Sequence, residues 1–325
     1  MIENSKQMIS GKAFEYALLK EFFEKLSKET TVQVIENAAY ITAEECFSRI
    51  DKNEKSRYLL SASFAVNFMI DIEPRLSNGI NKKDLLQLEI LTDNHGQEGD
   101  VRDVLAIRLM QKWEIGISAK NNHHAVKHSR LSNDIDFGDK WLGVNCSSEY
   151  FENVAPVFDL LKKIKIDSKS TQKWDTLGNY HESIYKPILE AFRNELLKLY
   201  SMNKKQVASR MIEYLVGNKD FYKVIRSTNH IEIQAFNLHG TLNLPFKDKF
   251  PKFVTPIVGL PDQIIDVQFK ENSLTTIIVK FNKGWELSFR IHNASSRIEP
   301  SLKFDINLLS APHTLFKNTL SVNTI

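Results

Sequence analysis

The chain has 325 residues, 42% hydrophobic and 26% charged, with a net charge of +3, enough apolar material for a sizeable core and for more than one folding unit. No apolar run approaches the roughly 18 residues of a membrane span, and residues 1 to 7 lack the charged-then-apolar pattern of a signal peptide, so a cytoplasmic protein is expected. Cys46 and Cys146 are its two cysteines, without CxxC or Cys/His spacing, which argues for reduced thiols and against both a disulfide framework and a structural zinc.

Phe14, Ala17, Leu18 and Phe22 recur at helical spacing, which predicts an amphipathic helix over residues 11 to 26, with Glu15 beside its apolar stripe. Helices are expected to continue over residues 42 to 72, where Pro74 breaks the run. Residues 85 to 91 alternate as a strand, and residues 92 to 99 form a loop leading to Asp100 and Asp103. Asp103 then heads the run Val104, Leu105, Ala106, Ile107. In the next strand Trp113, Ile115, Ile117 and Ala119 fall on one face, and Glu114, Gly116, Ser118 and Lys120 on the other. A helix beginning near His123 or His124 and a strand at residues 141 to 144 would complete an α-β-β-β-α-β order.

A polar connector at residues 168 to 174 suggests a boundary, dividing the chain into 1–168 and 169–325. Residues 180 to 226 read as helical, with Lys204, Lys205, Arg210, Lys223 and Arg226 on the outside. From His230 onward come short strands at residues 231–236, 264–269, 275–281 and 286–291, the last two joined by a turn at Asn282, Lys283 and Gly284.

An acid at the head of one strand and a lysine near the end of the next resemble the core of PD-(D/E)xK nucleases. There the carboxylates hold a divalent metal and the lysine steadies the attacking water. Arg102 and Asp103 stand where that motif has Pro-Asp, and Ser118, Ala119 and Lys120 where it has Glu/Asp-x-Lys, so Ser118 takes the place of the second acid. Residues 121 to 132 (NNHHAVKHSRLS) and 285 to 305 are dense in groups that contact phosphates and base edges. With the core they resemble type II restriction endonucleases of the HaeIII family, which cut duplex DNA at the palindrome GGCC. The resemblance implies a mixed α/β sheet flanked by helices, a nuclease catalytic core at 1–168, and a helical and β-strand DNA-binding part at 169–325.

Hydrolysis of a phosphodiester needs a metal and a fixed cation for the developing charge. Magnesium asks for only one or two protein carboxylates. Asp103 is the first choice of ligand, with Asp100 as its rival, and Lys120 the choice for positioning water. Glu114 lies roughly 13 Å along the strand from Ser118, too far to share one ion. Glu15, Asp134 or Asp136 remain as sources of the missing acid. His123, Lys127, His128 and Arg130 are candidates for phosphate contacts. Zinc binding by His123, His124 and His128 lacks a supporting motif. Arg290, His292, Asn293, Ser295, Ser296, Arg297 and Lys303 crowd one strand and the loop after it, where arginine is suited to guanine. Pro261-Asp262 is a decoy, because no acid stands two positions before the lysine that follows, Lys280.

The expected partners are double-stranded DNA, a cognate methyltransferase as functional companion, and a second copy if the enzyme is a homodimer. Two alternatives stay open: a repair or structure-specific nuclease, and a DNA-binding protein that kept the fold without catalysis.

Overall fold

The computed structural model describes residues 6–92, 99–121, 125–167 and 171–322. The chain forms two compact units that alternate along the sequence. One comprises residues 1–124, 217–258 and 313–325, the other 125–216 and 259–312. Among the described residues no helix is long and apolar enough to cross a membrane.

The first unit begins with α1 (Lys6–Leu26), whose buried face carries Phe14, Ala17, Leu18 and Phe22, the residues whose spacing predicts the helix. After β1 (Val32–Ile35), Asn37 caps α2 (Ala38–Arg49) by accepting from the Tyr40 amide, and Asp51 caps α3 (Lys52–Ile72) by accepting from the amides of Asn53 and Glu54. Pro74 opens the single turn α4 (Pro74–Ser77), where its missing N–H costs nothing. Then follow β2 (Leu86–Ile90), β3 (Val104–Arg108) and β4 (Trp113–Asn121). The unit is completed much later by β6 (Phe221–Arg226), β7 (His230–Phe236) and β12 (Phe316–Ser321).

These seven strands make one mixed sheet in the order β1-β2-β3-β4-β6-β7-β12. The β3/β4 and β2/β3 pairs are antiparallel, whereas β4 and β6 run parallel. Ile115, Ile117, Ala119, Tyr222, Val224, Ile231, Ile233 and Ala235 share one apolar core with the buried faces of α1, α2 and α3. Beneath this core, Glu73 is fully buried. It accepts from the Tyr222 hydroxyl at 2.6 Å and the Asn243 amide at 2.9 Å, and burial pushes its carboxyl up to about 7. On the other side of β4, a Cβ built at Gly116 would lie 2.0 Å from Cδ of Arg102. Only glycine therefore lets the arginine cross that strand.

The second unit opens with β5 (Ala125–Leu131) and has α5 (Ser148–Asp167), α6 (Lys186–Met202) and α7 (Lys204–Leu215). Its remaining strands are β8 (Ile264–Phe269), β9 (Thr276–Phe281), β10 (Glu286–His292) and β11 (Leu302–Ser310). They form a five-stranded sheet in the order β5-β11-β10-β9-β8, antiparallel throughout. Phe137, Trp141, Phe192, Phe289 and Phe304 form an aromatic cluster in this unit, with ring centroids 4.8 to 6.3 Å apart.

Three sequence expectations change here. Residues 125 to 131 are a strand, not the start of a helix, because they pair with β11 in register from Ala125↔Asn307 to Leu131↔Leu302. The apolar stretch at residue 141 is a π-helical turn, Gly138–Leu142, not a strand. The last strand of the α-β-β-β-α-β order is instead β6, about 80 residues further on. Residues 221 to 226 are accordingly sheet rather than helix, and Lys223 and Arg226 are buried rather than solvated.

Candidate active site

Asp103 ends the loop before β3, and its backbone N–H bonds to Ile117 O at 2.7 Å, which sets it beside Ser118 across the β3/β4 pair. Its Oδ2 accepts from the Ala119 N–H at 2.7 Å, from Lys120 Nζ at 3.3 Å and from Ser118 Oγ at 3.4 Å. The strand thus presents three donors to one carboxylate oxygen. Both charged side chains remain about a quarter exposed. The spacing read from sequence therefore corresponds to real contact between Asp103, Ser118 and Lys120.

Glu15 comes from α1 and is 6% exposed. Its carboxyl is pushed up to about 8, first by burial and second by the negative charge of Asp103, against the opposing pull of Lys12 and Lys120. Lys12, one turn earlier, donates to Glu15 Oε2 at 3.1 Å. The Asp103 carboxylate and the buried Glu15 carboxyl, whose ionisation Asp103 opposes, form a donor pair that a divalent cation would relieve. Among the described residues no group of three or more His, Cys, Asp or Glu is placed to hold a metal. The pair suits a hard cation that retains several of its own waters.

Asp100 is committed elsewhere. Its carboxylate receives Nε of Arg102 at 2.8 Å and Nη2 at 2.7 Å, while Nη1 of the same arginine reaches Glu114 at 2.9 Å. Asp136 is committed too. It accepts from the Asp139 and Cys146 amides, and although burial opposes ionisation these bonds hold its carboxyl below the usual range. Asp134 is exposed. Asp262 of the decoy pair accepts from Asn282 at 2.6 Å and lies 3.1 Å from Lys283, tying the β9/β10 turn.

The sequence reading missed a group that ties the end of β4 to two helices. Asn121, directly after Lys120, donates to Ser10 of α1 and, at 2.9 Å, to the Tyr58 hydroxyl of α3; Ser10 and Tyr58 are themselves 2.8 Å apart. Arg226 of β6 donates to Asn121 Oδ1 at 2.9 Å and to Glu54 at 2.8 Å, with its guanidinium 4.1 Å from the centre of the Tyr58 ring. These contacts fix the first turns of α1, and with them Glu15, relative to the strand that carries Lys120. Asn121 could have been singled out only by its place after the lysine.

Of the expected nucleic-acid contacts, His123 lies outside the described residues, as do the side chains of Lys127 and His128. The backbones of the latter two are in β5, in register with Ile306 and Asp305 of β11. Arg130 is exposed, donating to Ser301 at 2.9 Å and lying 3.5 Å from Glu299. On β10, Arg290 is exposed in register with Asp305 and Thr276. His292 Nε2 lies 2.8 Å from Asp305. Asn293 and Ser295 shape the loop through bonds to Ser295 O and Arg297 O. The backbone of Arg297 is held by the Trp174 indole at 3.0 Å while its side chain is exposed.

A mixed sheet in which the helix, three antiparallel strands and a returning parallel strand set an acid and a lysine side by side is the architecture of the restriction-endonuclease-like class. The profile of the family described as HaeIII restriction endonuclease matches residues 11–312. The "Type II restriction enzyme HaeIII" of Haemophilus aegyptius is 41% identical over 314 residues, covering 96% of this chain and 97% of that protein. No solved structure matches. The chain belongs to the HaeIII restriction endonuclease family, and the expectation of a type II restriction endonuclease is met at that level.

Proposed function

We propose that the protein hydrolyses double-stranded DNA at GGCC with magnesium as cofactor, using Asp103 and Glu15 as metal ligands and Lys120 to position the attacking water. The observation that carries this reading is the Asp103 carboxylate held between Lys120 and the Ala119 N–H, with a second, buried carboxyl electrostatically coupled to it. When bound, the cation supplies Lewis acidity at the phosphate and lowers the pKa of water. Asp103 would hold that ion from a fixed position, because the donors to its carboxylate all come from β4. Lys120 keeps a donor beside it for water and for the developing negative charge. Ser118, standing in for an acid, donates to Asp103 and adds no charge. Asp100 is the weaker candidate, since Arg102 engages both of its oxygens.

Family membership supports a DNA substrate. The likeness to the Haemophilus aegyptius enzyme supports GGCC, and a companion methyltransferase that protects the host is part of the same proposal. A cytoplasmic location fits both. A palindrome is symmetric, so a homodimer is the natural assembly for cutting both strands. The second unit, with Lys127, His128 and Arg130 on β5 and Arg290, His292, Asn293, Ser295 and Arg297 on β10 and the following loop, is assigned to DNA binding, and His123 is assigned to the same role from its place in the sequence.

Digestion of unmethylated plasmid tests the reading. Discrete fragments ending within GGCC with magnesium, and intact plasmid with EDTA, are expected. Random nicking would mean another nuclease specificity, and no cutting with either would leave a DNA-binding protein.

Arg290 and Arg297 should separate base reading from phosphate holding. Alanine at a guanine-reading arginine is expected to cost about 1–3 kcal/mol and to relax discrimination at one base pair. Alanine at a phosphate contact weakens all sequences and lowers the salt slope by about one. Binding to GGCC and single-mismatch duplexes at several salt concentrations distinguishes them. If neither quantity changes in either variant, the block is structural.

A further inference from the structure

β6 brings a second lysine to the row of residues that holds Asp103 and Ser118. Ser118 is in register with Lys223, Lys223 with Gln234 of β7, and Gln234 with Lys317 of β12. The residues one step out of phase, Ile117, Tyr222, Ala235 and Phe316, belong to or pack against the core beneath α1 and α3. By strand alternation, Asp103, Ser118, Lys223, Gln234 and Lys317 therefore share the opposite face. Lys120, two residues beyond Ser118, is on that face as well. Lys223 thus stands beside the position where the motif's second acid would be, and in this chain that position is a neutral serine.

Lys223 is 5% exposed, and few lysines are buried to this extent. Among the described residues, the charged groups acting on it include Lys120 from β4, Glu232 from β7 and Lys317 from β12. Burial first, then Lys120, holds its amine down to about 8; Glu232 works in the other direction and Lys317 adds to the lowering. Lys120 and Lys223 bring two ammonium groups to the face that carries Asp103, an arrangement suited to an anionic phosphate. The same face holds the carboxylate and lysine assigned to hydrolysis. The cluster has one acid fewer than the motif it resembles and one ammonium more.

We propose that Lys223 is a second catalytic ammonium, contacting a non-bridging oxygen of the scissile phosphate and stabilising the charge that grows there during attack. It forms and breaks no covalent bond and transfers no proton. Its positive charge acts where an additional carboxylate would otherwise hold a metal. The proposal rests on the assignment of Asp103 and Lys120 to DNA cleavage.

The experiment compares wild type, Lys223→Met, Lys223→Gln and Lys223→Arg on a GGCC duplex, with single-turnover cleavage in magnesium at saturating enzyme, DNA binding in EDTA, and thermal melting. Methionine and glutamine replace the buried charge by neutral chains of similar length, and thermal melting shows whether the fold accepts them. The uncharged variants are expected to cleave about 100-fold more slowly, the scale of losing one donor to a developing oxyanion, while binding DNA within about threefold of wild type. Arginine is expected to restore a tenth or more of the wild-type rate. Cleavage by a folded uncharged variant within about threefold of wild type overturns the proposal. So does a loss confined to binding, a loss that arginine does not relieve, or melting of both uncharged variants far below wild type, which would make the lysine structural. A wild-type protein that cuts no DNA removes the catalytic reading itself, whereas normal cutting by Lys223→Met beside an inactive Lys120→Ala removes only the role of Lys223.

Discussion

Lys120→Ala and Asp103→Asn are each expected to lower cleavage of a GGCC duplex by at least about 1,000-fold while changing DNA affinity by less than about tenfold. Asparagine keeps the shape of Asp103, and its carbonyl can still accept from the Ala119 N–H, so the β3/β4 junction should persist; what disappears is the negative charge that holds a cation. Alanine at position 120 removes the donor 3.3 Å from Asp103 Oδ2 and leaves the carboxylate its bonds from Ala119 and Ser118. Both side chains are about a quarter exposed, so neither truncation opens a core cavity, and melting temperatures should stay near wild type. Single-turnover cleavage with gel-shift binding in EDTA makes the comparison. Cleavage by either variant within about tenfold of wild type would remove the catalytic assignment, and a parallel collapse of binding would recast the pair as DNA-holding groups.

Local pattern carried a large part of this structure. The α1 stripe, the alternation over β4 and the turn between β9 and β10 each depend on residues close in sequence, so spacing alone predicts them. The contact of Asp103 with Ser118 and Lys120 was legible for the same reason, since one hairpin sets its register. Where the chain leaves one unit and returns, that logic fails. β6 contains an uninterrupted apolar and aromatic run around Lys223, and nothing within six residues tells a buried parallel strand from the end of a helix. Its partner β4 lies about 100 residues upstream, and only the parallel pairing reveals that Lys223 is in register with Ser118. Likewise, β5 follows soon after β4 but pairs with β11, some 175 residues away. A polar, His-rich stretch offers no apolar face to announce an edge strand. Glu15 was named from the resemblance, whereas its burial and its coupling to Asp103 come from packing that the helix stripe does not encode.

Glu15→Gln should abolish cleavage if α1 supplies the second acid, and it also carries a consequence that can be measured without DNA. The Glu15 carboxyl titrates near 4.5 in ordinary surroundings and is pushed up to about 8 in the folded, metal-free protein, by burial and then by Asp103. A carboxyl raised on folding contributes stability that is fully present below its unfolded pKa and is lost as pH rises through its folded pKa. Between about pH 4.5 and 8, metal-free wild type should therefore lose up to about 1.4 kcal/mol per pH unit from this group. Glutamine keeps the size and cannot ionise, so the variant should lack that component. Glu73, raised to about 7, contributes a similar slope to both proteins and cancels in their difference. In EDTA, the stability of Glu15→Gln relative to wild type should rise with pH. Adding magnesium at pH 8 should stabilise wild type, by occupying the two ionised carboxylates, and leave the variant almost unchanged. Denaturant melts at several pH values, with and without magnesium, give all four curves. Equal pH slopes in the two proteins would mean that Glu15 is not the buried acid inferred here. If the slopes differ but magnesium stabilises both equally and the variant still cuts, Glu15 is a buried carboxyl outside the metal site, and the second acid must be sought first at Asp134, because Asp100 and Asp136 already have their oxygens engaged by Arg102 and by the amides of Asp139 and Cys146.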